Sequence, residues 1–257
     1  MMRVSGQAVW AAGAMGLAML LPACGEKTET ADAPATGETP ALAAASAPDA
    51  IAAMKAVFSE ADAKGEVPIP AAGNGLARVE RPVTVIAGEG GRSYLVTAKE
   101  HVETCHVCSA AISVFYLQGA GDALSVVSKH PDLYESGGWG QPGEIAALTL
   151  PRKGGIGMTD QSGYTAQGCT VVNVTAYRFD ESGPKEILDR APLAVSYDAI
   201  DIDGTIIKPF TADADFAVNY SGNNSSVPVD TTVTWQIQDG VLVQNSGRIP
   251  DAVADGC

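Results

Sequence analysis

The sequence predicts a mainly β protein, an antiparallel β-sandwich or barrel with one short N-terminal helix. Three observations predict it. From about residue 66 onward, short apolar and β-branched runs alternate with clusters of Gly, Asp, Asn and Ser. Several pairs of runs are separated by compact turn signals, of which Asp239-Gly240 is the sharpest. Within this body no stretch keeps helical spacing for long, which argues against alternating βα units.

Taken in order, Asp49 to Lys64 has helical spacing, with Ile51, Met54, Val57 and Phe58 on one face. Asp49 suits the N-cap and Gly65 the C′ position. The strands expected after it are 83–87, 93–98, 111–117, 124–128, 145–150, 171–179, 193–197, 205–207, 216–220, 232–237 and 242–244. Gln118 to Asp122 and Asp180 to Gly183 read as turns between neighbouring strands. Residues 66–257 are expected to form one β-rich domain, large enough for its own core. Ala191-Pro192 marks an alternative division, with a small lobe after it. A small β-propeller is the alternative architecture, since Val114–Ser128 and Thr175–Leu188 share a strand–turn–strand form. Two loose copies fall short of the fixed period that a propeller needs.

Ahead of the helix, residues 24–48 are mostly Ala, Thr, Pro and Glu, with Leu42 as the one large apolar side chain. Such a segment buries too little apolar area to offset its ordering entropy, so it reads as a tether. Residues 1–23 carry a single charged side chain, Arg3, and an apolar run from Ala8 to Leu21. That run is shorter than the roughly 20 residues a bilayer requires and fits the core of an export signal. The stretch Leu20-Leu21-Pro22-Ala23-Cys24-Gly25 resembles the lipobox of bacterial lipoproteins, with Leu21, Ala23 and Cys24 matching and Pro22 departing from the commoner form. The resemblance implies cleavage before Cys24, acylation of that cysteine and a lipid anchor. With Gly25 rather than Asp after the cysteine, it also implies the outer membrane, with the body facing the periplasm.

The charge narrows the partners. The chain carries a net −14, and loss of residues 1–23 removes only Arg3, leaving −15. A field of that sign repels phosphate backbones, so nucleic acid is excluded as an expected partner. The membrane is reached through the lipid anchor, and an envelope protein or glycan is the expected further contact.

The densest chemistry is His101-Val102-Glu103-Thr104-Cys105-His106-Val107-Cys108. Three readings compete. Cys105, Cys108, Cys169 and Cys257 make an even set outside Cys24, as two disulfides require in an oxidising compartment. Nearest-neighbour pairing joins Cys105 to Cys108 and Cys169 to Cys257, one of three connectivities. Alternatively Cys105 and Cys108 form a redox-active pair. The residues that follow read as a strand, whereas a thioredoxin-like site needs a helix there. In the third reading His101, Cys105, His106 and Cys108 bind zinc or copper, which suit such ligands. Outside that third reading no cofactor is implied.

Trp139, in a loop from Gly137 to Gly143, and Tyr164, in Gly163 to Gly168, are candidate ligand-binding aromatics. His130 reads as a solvated turn histidine. Asp201-Ile202-Asp203-Gly204 lacks the acidic twelfth residue of an EF-hand calcium loop and reads as a turn. No catalytic residue is nominated: Gly-x-Ser-x-Gly and His-Glu-x-x-His are both missing from the sequence. The expected function is therefore a membrane-tethered envelope lipoprotein with a non-enzymatic binding or structural role. The alternatives are the metal or thiol site at Cys105–Cys108 and a carbohydrate-binding β-sandwich.

Overall fold

The computed structural model describes residues 47–257 apart from 74, 104, 153–154 and 209–212. Cys24, the export signal at 1–23 and all but the last two residues of the 24–48 segment lie outside the described residues. Within them, thirteen strands form two antiparallel sheets. The first contains β1 (Val67–Ile69), β2 (Arg78–Ala87), β3 (Arg92–His101), β4 (Ala110–Gln118) and β5 (Ser125–Ser136), in that order. The second contains β6 (Glu144–Thr149), β7 (Ile156–Ala166), β8 (Cys169–Asp180), β9 (Gly183–Tyr197), β10 (Ile200–Ile207), β11 (Phe216–Asn224), β12 (Val227–Gln238) and β13 (Val241–Ser246). It also runs in chain order, and one of the sheets curves into a half-barrel. The fold is thus mainly β and sandwich- or barrel-like. Two sheets of five and eight strands replace the four-stranded blades a propeller would show.

Side-chain alternation explains how the layers meet. On β4, Ala110, Ile112, Val114 and Tyr116 face Met158 on β7 and Tyr177 and Phe179 on β8. The intervening Phe115 and Leu117 face the other way, with Leu95, against helix α1 (Ala50–Val57). With both faces covered, β4 reads as a nearly continuous apolar run interrupted by Ser113. A core cluster of the second sheet holds residues such as Leu193, Phe216, Tyr220 and Trp235. Each side chain of this size, fully buried, stabilises by roughly 1.5–3 kcal/mol. Tyr220 keeps its hydroxyl satisfied there, donating to the Pro192 carbonyl at 2.8 Å.

Helix α1 begins where predicted, with Asp49 Oδ1 accepting the Ile51 N–H at 3.2 Å. It ends at Val57, well short of Lys64. Phe58 turns extended so that its ring meets Phe115 edge-on at 5.3 Å. Asp62 then accepts the N–H groups of Lys64 and Glu66, both at 2.8 Å. The Glu66 bond leads in holding the Asp62 carboxyl below its ordinary pKa. The side-chain turn at Asp62 therefore competes with the helix and wins.

Three further expectations are corrected. Asp201 to Gly204 lies inside β10, with both aspartates on the exposed face. The turn falls instead at Asp198, with φ of 48°. Strand β9 runs through Ala191-Pro192 and keeps the second half of the chain in the same sheet, so no lobe separates there. His130 sits half-buried inside β5, its ring 5.2 Å from that of Tyr116. No helix among the described residues is long and apolar enough to cross a membrane.

Candidate functional site

The chain passes from the first sheet to the second through the loop between β5 and β6, residues 137–143. Trp139 and Gly140 occupy its central turn, with φ of 59° and 80°. Gly138 and Gln141 exchange backbone hydrogen bonds across them at 3.1 and 3.0 Å. Two positive φ values between paired residues describe a type I′ turn, which ordinarily takes Asn-Gly. A tryptophan in the first position is held in a conformation that bulky residues seldom adopt.

The cysteine–histidine segment packs against this loop. Cys105 is paired with Cys108, their Cα atoms 5.2 Å apart. The Cys108 carbonyl accepts the Gly140 N–H at 2.8 Å, and the His101 N–H donates to the Gly140 carbonyl at 3.1 Å. A Cβ on Gly140 would stand 2.8 Å from that of His101, so only glycine lets the two segments approach. His106 lies against Trp139, ring centroids 3.5 Å apart. His101 is buried, and its Nδ1 has no partner among the described residues. With the two cysteines bonded to each other, the four residues of the zinc or copper reading do not present two free thiolates. No three His, Cys, Asp or Glu side chains among the described residues are grouped to hold a metal ion. Strand β4 starts two residues after Cys108, where a redox site of the thioredoxin kind needs a helix.

Beside this loop, between β5 and strands β7 to β9, lies a cavity of about 340 Å³. Its floor is set by Asp160 on β7, only 1% exposed. Neither carboxylate oxygen completes a hydrogen bond in good geometry, and the Ser136 and Tyr134 hydroxyls are the donors in reach. Burial raises the Asp160 pKa above the ordinary carboxylate value, and the neighbouring Ser136 and Tyr134 hydroxyls pull it partway back. Gly143 permits the close fit, since a Cβ there would lie 2.4 Å from Asp160 Oδ1. Tyr134 and Tyr177 stack at 4.8 Å, tilted by 18°, and form an aromatic wall. The Tyr177 hydroxyl donates to Glu186 Oε2 at 3.2 Å, whereas the Tyr134 hydroxyl is buried without a partner. Burial foremost, then nearby carboxylate charge, pushes both phenols up. Glu135, Glu186, Asp189 and Arg190 surround the opening. The β8–β9 ladder shifts register at Val174 to Tyr177, and such irregularities re-aim side chains.

Of the two aromatics nominated from sequence, Tyr164 lines this cavity and is 55% exposed. Trp139 is outside the lining, although Gly137 of its loop and Ser109, next to Cys108, belong to it. The second disulfide, Cys169–Cys257 with Cα atoms 6.2 Å apart, lies just beyond, because Cys169 pairs across from Ala166, two residues after Tyr164. Sequence reasoning missed Asp160, Tyr134, Tyr177, Glu186 and Asp189. The one available signal was Tyr134 and Tyr177 standing among alternating residues, and that pattern marks core and cavity alike.

Comparisons with protein-family models, curated proteins and solved structures gave no match to this chain.

Proposed function

We propose that this protein is a lipid-tethered component of the cell envelope whose β body binds a small polar ligand and does not transform it. The lipobox-like Cys24 motif supports the tether, with the outer membrane as its place and the periplasm as the compartment of the body. The observation that carries the binding role is the cavity floored by Asp160. A buried carboxylate without a hydrogen bond destabilises the fold, by roughly 1–3 kcal/mol. Such a group persists where a function requires it. The Cys105–Cys108 bridge next to Ser109, and Cys169 near Tyr164, supply covalent bracing beside the lining, which favours a preorganised site.

The test uses the full chain expressed in a Gram-negative host, with Cys24→Ser beside it. The mature wild type should carry acyl mass on Cys24 and partition with membranes, and Cys24→Ser should not. Small polar compounds that raise its melting temperature should be recovered chemically unchanged after incubation. Conversion of such a compound by the protein would overturn the non-enzymatic reading, and an unmodified Cys24 would overturn the tether.

A carbohydrate ligand is the second reading, favoured by Tyr164 at the rim, where an exposed ring can stack on a sugar.

A further inference from the structure

We infer that the cavity between β5 and β7–β9 takes a small organic cation, an aliphatic amine bearing one or more ammonium groups. The inference rests on the binding role above and names its ligand class.

Charge is the first ground. Glu135, Asp160, Glu186 and Asp189 line the cavity against a single cation, Arg190. Arg190 is exposed, so its charge is screened by solvent, while Asp160 is buried in the cavity lining. A cation entering above Asp160 meets that carboxylate in surroundings of low dielectric, where attraction is stronger than at the surface.

The second ground is the unmet hydrogen bonding, which is independent of the charge count. Both Asp160 oxygens and the Tyr134 hydroxyl are buried short of hydrogen-bond geometry, with only each other and the Ser136 hydroxyl in reach. An ammonium group offers three donors and no acceptor, which is the complement this wall lacks. A sugar hydroxyl would bring a donor and acceptors together, and beside three further carboxylates its lone pairs would be opposed.

The spacing argues for an extended cation over a metal ion. Calcium gathers six to eight oxygens at about 2.3–2.6 Å. Here the acids come from three different strands, and no three of them are grouped to hold an ion. A flexible amine can span them. Tyr134, Tyr177 and the exposed Tyr164 supply aromatic surface, and a cation over such a ring is attracted to its face.

Isothermal titration of the mature protein with spermidine tests this, with maltose and calcium titrated in parallel at low and high salt. The expected result is one saturable spermidine site that weakens as salt rises. Asp160→Asn should weaken it about tenfold or more, and Asp189→Asn severalfold, while Asp201→Asn on β10, outside the cavity lining, should leave it unchanged. Asp189 and Asp201 are both exposed, so those variants report on the site without threatening the fold. Equal loss in Asp201→Asn would reduce the binding to diffuse attraction by an acidic surface and overturn the site. Saturable maltose binding without spermidine binding would overturn the cation class and leave the binding role standing. Stoichiometric calcium that excludes spermidine would replace the amine with a metal ion. No saturable binding by any of the three, together with an unchanged melting temperature across a wider amine and sugar panel, would remove both the ligand class and the binding role.

Discussion

The region held by Cys169–Cys257 and the region held by Cys105–Cys108 use the same bond for different ends. The first closes 88 residues and fastens the C-terminal helix α2 (Asp251–Asp255). Ala252 and Val253 of that helix are buried in the core of the second sheet. The second closes three residues in a protruding loop whose Val107 is 94% exposed. Around the first, apolar groups pack on one another. Around the second lie an unpartnered His101 Nδ1, an outward-facing His106–Trp139 pair and a tryptophan at positive φ. The difference separates a clamp on the fold from a brace on a surface. It also shows that a disulfide's span, more than its presence, says what it stabilises.

The largest expected effect tests the clamp. In the chain-entropy model, Cys169→Ser should lose about 4–5 kcal/mol, because the loop it releases is long. Denaturant unfolding without reductant measures it. A loss no greater than that of the short loop would break the comparison. Next, Cys105→Ser with Cys108→Ser should lose at most about 2 kcal/mol in the same model. Its signature is local: amide exchange should quicken in 101–108 and 137–141 while β8 to β12 stay protected.

These two regions also show what the sequence could carry. Turn chemistry is local, so Gln118–Asp122, Asp180–Gly183 and Asp239-Gly240 could be read directly, and each separates adjacent strands in the structure. The nearest-neighbour cysteine pairing was one of three options, and the structure adopts it. Strand β7 was not read, because Thr159-Asp160-Gln161-Ser162-Gly163 is polar and looks like loop. It becomes a strand by pairing with Glu144–Thr149 on one side and Cys169–Arg178 on the other, hairpin neighbours whose pairing its own polar residues do not signal. The cavity was invisible too, because it is made by β5, β7, β8 and β9 meeting. Of its lining, only Tyr164 had been singled out, as a candidate ligand-binding aromatic.

Asp160 sharpens the contrast between packed and poised regions. Its folded pKa lies above the ordinary value, with burial as the main cause. The folded state therefore binds its proton more tightly than the unfolded chain does, and stability falls as pH rises toward and through the raised pKa. Asp160→Asn removes that loss. Below the ordinary carboxylate pKa the variant and wild type should melt alike. The variant should then gain with rising pH, reaching about 1–3 kcal/mol, the penalty of a buried unpaired group. A melting series across pH decides it. A loss of stability at neutral pH would mean that Asp160 is a partnered structural acid, like Glu80, which takes a hydrogen bond from Thr97.

The smallest effect concerns Trp139. Its φ of 59° belongs to a region that glycine enters freely and other residues enter at a cost of order 1 kcal/mol. Trp139→Ala removes the contact with His106 but keeps the backbone penalty. Trp139→Gly removes both. The glycine variant should therefore be the more stable of the two by roughly 0.5–1 kcal/mol, even though glycine normally weakens a chain by loosening its unfolded state. Thermal melts of the paired variants, with the Cys105–Cys108 bond intact, measure the difference. An alanine variant as stable as the glycine one would mean that the turn relaxes once the indole is gone. In that case the contact with His106 drives the backbone strain, and the brace around Cys105–Cys108 exists to present Trp139. The predicted order means the reverse: the turn is fixed by the Gly138–Gln141 bonds and the Gly140 contacts, and Trp139 is carried on a rigid support.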